Sequence, residues 1–186
     1  MRQYRRKLPH LQPEDFWLFL TWRLWGSLPP LLVPTRYPTA GQAFVAEDRV
    51  LARQRSGPLW LRDARIAGLV AETILAGESE RRLYELCAWV VMPNHVHMLI
   101  LPTVDVPVVT RWLKGSTARR ANQLLGRIGQ RFWQDESYDH YARGPKQRGL
   151  IIKYIEENPV SAGLVDSAED WEWSSAGRQA ATSLPL

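Results

Sequence analysis

Apolar and polar positions along this chain fall into blocks whose period changes from one block to the next. Phe16–Leu24 (FWLFLTWRL) is a run of aromatic and apolar residues that predicts a strand. A stretch dense in turn formers follows, from Gly26-Ser-Leu-Pro-Pro through Pro38-Thr-Ala-Gly41. Gln42–Arg55 fits a first helix. Asp63–Ala76 fits a second, because Ile66, Leu69, Val70, Thr73 and Ile74 recur at three and four, with Gly77 as a C-terminal stop. Tyr84–Met92 (YELCAWVVM) and His95–Leu101 (HVHMLIL) read as two strands, and the Pro93-Asn94 turn between them predicts a hairpin. Val106–Gly126 is a long basic helix. Arg131–Arg143 has strand-like aromatic content with polar interruptions. Lys146–Asn158 is helical, with Leu150, Ile151, Tyr154, Ile155 and Asn158 on one stripe and Pro159 as its stop. In the tail, WEWSSA brings Trp171 and Trp173 into a docking segment.

The order strand, helix, hairpin, helix, strand, helix predicts an α+β fold. The expected form is a ferredoxin-like antiparallel sheet with helices gathered on one face. At 186 residues the chain suits a single domain. Three parts are expected: a basic N-terminal arm over 1–15, a core domain over 16–165 and a C-terminal docking tail over 166–186. Lys and Arg total 24 against 19 Asp and Glu, giving net +5, which favours an anionic partner. A single cysteine, Cys87, excludes an internal disulfide and a cysteine-based zinc site. No apolar stretch approaches the roughly 20 residues of a membrane helix. The basic start lacks a signal-peptide cleavage pattern, so the cell interior is the expected location.

Two segments carry candidate chemistry. His95 and His97 sit two apart on a predicted strand, so both imidazoles project to one side and can grip one divalent ion. Val96, Met98 and Ile100 then fill the opposite, apolar face. Two surface histidines beside a turn would give the same spelling. Tyr154 and Asn158 share a helical stripe and, read by themselves, fit a half-buried core tyrosine and a helix cap. Tyr138, Tyr141 and His140 in ESYDHYAR rank below Tyr154. Arg111, Lys114, Arg119 and Arg120 on the long helix, with Arg5 and Arg6 in the arm, are the candidates for phosphate contacts.

WVVMPNHVHMLI resembles the His-hydrophobe-His motif of the HUH single-tyrosine transposases. YIEENPVSAGLV, followed by DWEWSSA, is similar to the closing signature of their relatives, the REP-associated tyrosine transposases. LKGSTARRANQLLG and FWQDESYDH also resemble that family, so the likeness runs from about Phe16 to Ala176. The resemblance implies an HUH nuclease core over 16–165, with His95 and His97 as metal ligands, Tyr154 as nucleophile and Asn158 as a third ligand. It implies metal-dependent nicking and rejoining of single-stranded DNA at hairpin-forming palindromic repeats through a 5′-phosphotyrosine, with Mg²⁺ or Mn²⁺ as cofactor. The alternative within the same family is a catalytically inactive regulator that binds DNA hairpins. The expected partner is single-stranded DNA with a hairpin, with no membrane. The REP-associated branch implies a monomer, where related transposases are homodimers, and a bacterial cytoplasmic, nucleoid-associated location. One departure stands out: relatives carry an acidic stretch before the tyrosine helix, and this chain has Arg143-Gly-Pro-Lys-Gln-Arg-Gly149.

Overall fold

In LFLTWR, Leu18, Leu20 and Trp22 alternate with Phe19 and Thr21, and all five are buried, so this strand is covered on both faces. The computed structural model describes residues 16–28 and 40–183. The basic arm with Arg5 and Arg6, and most of the turn-rich stretch, lie outside the described residues. The elements are β1 (Leu18–Arg23), α1 (Ala40–Arg53), α2 (Ala64–Ser79), β2 (Tyr84–Val91), β3 (His95–Pro102), α3 (Val106–Leu124), β4 (Tyr138–Tyr141), α4 (Gly144–Glu156), α5 (Asn158–Ser161) and α6 (Ser175–Ser183). The strands form one antiparallel sheet in the order β2-β3-β1-β4, the ferredoxin-like order. Among the described residues no helix is long and apolar enough to cross a membrane.

The helices do not gather on one face, and that part of the expectation is corrected. One core joins Leu18, Leu20, Trp22, Trp89, Val91, Val96, Met98 and Ile100 to Ile66, Val70 and Ile74 of α2 and Val109, Leu113 and Ala121 of α3. A second core, on the other face, joins Phe19, Ala88, Val90 and Leu99 to Ile151, Tyr154 and Ile155 of α4 and Phe44 of α1. Helical periodicity shows that a helix has a buried side; it does not show which face of the sheet receives it. Gly144, at φ 83°, turns the chain out of β4, and the following Pro is accommodated in the first turn of α4. The Gly- and Pro-rich start of the tyrosine helix is therefore its turn and first residues. Leu150 is 62% exposed and leaves the stripe assigned to it.

A bulge in β2 sets which side chains face which core. Leu86 pairs with Ile100 and Ala88 with Leu99, leaving Cys87 as the extra residue. Tyr84 and Leu86 point toward the α2–α3 side; beyond the bulge, Trp89 and Val91 take that side, and Val90 lies beside His97 on the other.

Three local expectations change. Gly77 does not stop α2, which runs on to Ser79: a Cβ there would collide with the Tyr84 hydroxyl, so the glycine makes room for the Tyr84 Oη–Ile74 O hydrogen bond (2.7 Å). Pro159 does not end the chain's helical course but sits in the first turn of α5. Within Arg131–Arg143 only Tyr138–Tyr141 is strand, with one further bridge between Leu24 and Trp133. The last segment lies along β2, where Trp171 Nε1 donates to Val91 O (3.0 Å) and Val91 N to Trp173 O (2.8 Å).

Candidate active site

β3 carries His95 and His97 on one face, as their two-residue spacing requires, and both are fully buried. Each ring is held from behind. His97 Nδ1 lies 2.7 Å from the hydroxyl of Thr21, its direct partner on β1. His95 Nδ1 lies 2.6 Å from Asn94 Oδ1, while Asn94 Nδ2 donates to Leu51 O and Gln54 Oε1, each at 3.0 Å. Because the amide nitrogen of Asn94 is engaged at the end of α1, its oxygen is the acceptor for His95 Nδ1–H. That bond fixes the His95 tautomer and turns Nε2 inward.

The inward nitrogens meet a residue that sequence reasoning missed. Asp48, on α1, is 4% exposed, and its Oδ1 lies 3.0 Å from His97 Nε2 and 3.3 Å from His95 Nε2. These donor atoms lie within 4.8 Å of one another, a grouping that could hold a metal ion. Tyr154, from α4, donates its hydroxyl to Asp48 Oδ2. Asn158 is buried; its Nδ2 lies 3.2 Å from the same Oδ2 and 3.4 Å from His97 Nε2. The residues selected as ligands and nucleophile, separated by up to 63 positions in the chain, are thus brought together on the α1–α4 side of the sheet.

Burial and charge act together here. Complete burial pushes His95 down to about 3, against the pull of Asp48, so the ring is neutral at pH 7. Burial works against the Asp48 carboxylate; any positive charge on the facing imidazoles, and the hydrogen bond from the Tyr154 hydroxyl, hold the group below the ordinary carboxylate range. Tyr154 is driven well above its ordinary value, by burial first and then by Asp48, with exposed Arg49 pulling weakly the other way. The phenol is therefore a held donor, and a cation among these groups is what would favour its phenolate.

Aromatic rings wall the site. Phe19 lies nearly parallel to His97 at 5.5 Å and edge-on to Tyr154 at 6.0 Å, and Phe44 stacks on Tyr138 at 4.2 Å. Tyr138 therefore belongs to the wall. His140 turns to Gln147 instead (2.8 Å), and Tyr141 packs edge-on to Phe16. On α3, Arg111, Arg119 and Arg120 are exposed, on the opposite side of the sheet from Tyr154. Lys114 is engaged inside the protein: its ammonium donates to the carbonyls of Gln134, Asp135 and Glu136 at 3.0, 3.1 and 3.3 Å. Trp133 is a core residue whose Nε1 donates to Thr117.

The family model for IS200-like transposases matches residues 64–158, just over half of the chain. A REP-associated tyrosine transposase of Escherichia coli K12 is 32% identical over 104 residues, covering 55% of this chain and 61% of the relative. A protein of Haemophilus influenzae Rd, described as a putative REP-associated tyrosine transposase, is 28% identical over 106 residues, covering 51% and 60%. The match thus spans about three fifths of the length of these relatives. The solved structure of a REP-associated tyrosine transposase bound to a REP hairpin superimposes with a TM-score of 0.60 at 23% identity, covering 100% of this chain and 89% of that one, and shares its fold. With the family model spanning β3 and the helix of Tyr154, the chain belongs to the IS200-like transposase family.

Proposed function

We propose that this protein nicks and rejoins single-stranded DNA at hairpin-forming palindromic repeats, with Tyr154 as the nucleophile. The observation that carries the reading is the meeting of the Tyr154 hydroxyl, delivered by α4, with the paired histidines of β3 across one buried carboxylate. The names of the relatives and the hairpin bound by the structural neighbour support the substrate.

In the proposed step, Tyr154 Oη forms a bond to phosphorus as the P–O3′ bond breaks. The phenolic proton departs along the hydrogen bond to Asp48, and the 3′ oxygen takes up one proton in exchange. The products are a 5′-phosphotyrosine and a free 3′-hydroxyl, and attack by a 3′-hydroxyl on the same link rejoins the strand without ATP. A divalent ion, Mg²⁺ or Mn²⁺, held by His95, His97 and the Asn158 amide oxygen would draw charge from the non-bridging phosphate oxygens. The donor set fits such an ion: His95 Nε2, Asp48 Oδ1 and Asn158 Oδ1 are all buried without a hydrogen-bond partner. The aromatic wall keeps bulk water from the link. Arg111, Arg119 and Arg120, across the sheet, and Arg5 and Arg6 of the arm are proposed to hold phosphates away from the cut.

The test is covalent trapping. Hairpin oligonucleotides with single-stranded flanks, incubated with Mn²⁺, give a denaturant-resistant adduct that mass spectrometry places on the Tyr154 peptide. Tyr154→Phe binds the hairpin but forms no adduct; it loses one hydrogen bond, worth about 1 kcal/mol net. An adduct on Tyr138 or Tyr141 refutes the assignment, and hairpin binding with no adduct favours the inactive regulator.

A further inference from the structure

We infer that Asp48 completes the metal centre and ties it to the nucleophile: Oδ1 is a ligand beside the two imidazoles, and Oδ2 holds the Tyr154 hydroxyl. The part concerning Tyr154 rests on the function proposed above; the part concerning the ion rests on geometry alone.

Hydrogen-bond direction makes the argument. Asn94 uses its amide nitrogen on Leu51 O and Gln54 Oε1, so its oxygen can only accept from His95 Nδ1–H. His95 Nε2 then carries a lone pair, and that lone pair faces Asp48 Oδ1 at 3.3 Å. Thr21, bonded to His97 Nδ1, leaves His97 Nε2 facing the same oxygen at 3.0 Å. Two ring nitrogens and a carboxylate oxygen converge at hydrogen-bonding range, with no proton on His95 Nε2 to join it to the acid. Water does not soften the contact, since both rings are fully buried and Asp48 is nearly so. Neither His95 Nε2 nor Asp48 Oδ1 has a hydrogen-bond partner. The His95 lone pair, packed against an anionic oxygen, repels it unless a positive charge sits between them.

The carboxylate's two oxygens divide the work. Oδ2 is satisfied by the Tyr154 hydroxyl and by Asn158 Nδ2 (3.2 Å), which leaves Oδ1 for the ion. Two imidazoles and one carboxylate are a donor set that first-row divalent ions accept with coordination positions left open. One rigid group thus spaces the ion and the attacking oxygen.

The experiment is Mn²⁺ titration of the full chain by calorimetry and electron paramagnetic resonance, without DNA. Wild type binds one ion. Asp48→Asn, which keeps shape and volume, binds at least about tenfold more weakly, since loss of even an outer partner of a ligand costs 10–100-fold. Tyr154→Phe stays within about threefold of wild type, because it removes no donor to the ion. A second readout needs no variant: wild type labelled with ¹³C-aspartate shows a Mn–¹³C coupling in its electron–nuclear double-resonance spectrum. If Asp48→Asn binds as wild type does, or the coupling is absent, while His95→Ala/His97→Ala abolishes binding, the histidine site stands and the role given to Asp48 is overturned. If wild type binds no Mn²⁺, both fall.

Discussion

Asn94 joins the histidine hairpin to the helix that carries Asp48, so Asn94→Ala should damage stability and metal affinity together. The substitution strands the buried His95 Nδ1–H, whose acceptor was 2.6 Å away, and deletes two donors to the end of α1. Leu51 O keeps a partner in Gln54 N (3.2 Å), so its loss is the smaller one. One stranded buried donor at about 1–3 kcal/mol and one or two lost bonds at about 1 kcal/mol each give an expected cost of about 2–5 kcal/mol. For a chain of this size that lowers Tm by roughly 4–20 °C. The metal supplies the sharper test. At a Mn²⁺ concentration of about 100 times the wild-type Kd, binding adds about 2.7 kcal/mol of stability. If freeing the His95 ring weakens affinity 10–100-fold, the same concentration adds only about 1.4 to 0.4 kcal/mol to the variant. The gap between the two proteins should therefore widen by about 1.3–2.3 kcal/mol when Mn²⁺ is added. Urea unfolding with and without Mn²⁺ measures it. Equal stabilisation of both proteins would refute the idea that Asn94 aims His95 at an ion.

Three more outcomes are expected. Burial lowers Lys114 to about 8 from 10.5, so the unfolded chain binds its proton more tightly. Its contribution to stability accordingly rises as pH climbs from about 8 to 10.5; urea midpoints across that window should show a rising component that Lys114→Met lacks, and identical slopes would disprove it. Gly77→Ala should destabilise by about 1–3 kcal/mol through collision with Tyr84, although a helix favours Ala by about 1 kcal/mol; an unchanged or raised urea midpoint would show that Tyr84 can move. Hairpins with single-stranded flanks should be cut and blunt duplex spared, with binding that weakens steeply as salt rises and counterion release gains less entropy; a gel assay showing efficient duplex cutting would reject the single-strand reading.

The histidine hairpin was legible because two short-range patterns coincide there, the Pro93-Asn94 turn and the alternation of HVHMLIL. Tyr154 was legible through its helical stripe together with the YIEENP resemblance. Asp48 was not. In AGQAFVAEDRVLAR it stands between Glu47 and Arg49, like any acid on a solvated helix face, and its partners His95, His97, Tyr154 and Asn158 lie far along the chain. It also precedes the family match, which begins at residue 64. The face chosen by α4 was hidden because amphipathicity has no sign relative to a sheet. Gly77 read as a stop because sequence shows the missing side chain and not the Tyr84 hydroxyl that needs the space. Lys114 looked like its exposed neighbours Arg111 and Arg119, and only the chain's return at residues 134–136 gives it three carbonyls.

The complete burial of His95 and His97 also sets a clock. Neither ring offers any surface to solvent, so nothing can collide with them from outside while α1 and α4 are in place. Whatever the two nitrogens hold must then arrive and leave when the surrounding elements open, and exchange follows the frequency of opening as well as the strength of the bond. For an ion seated there, the off-rate measured with a chelator should reach a plateau as chelator concentration rises, and that plateau is set by opening and release together. A loosened α4, which carries no ligand, would raise the plateau.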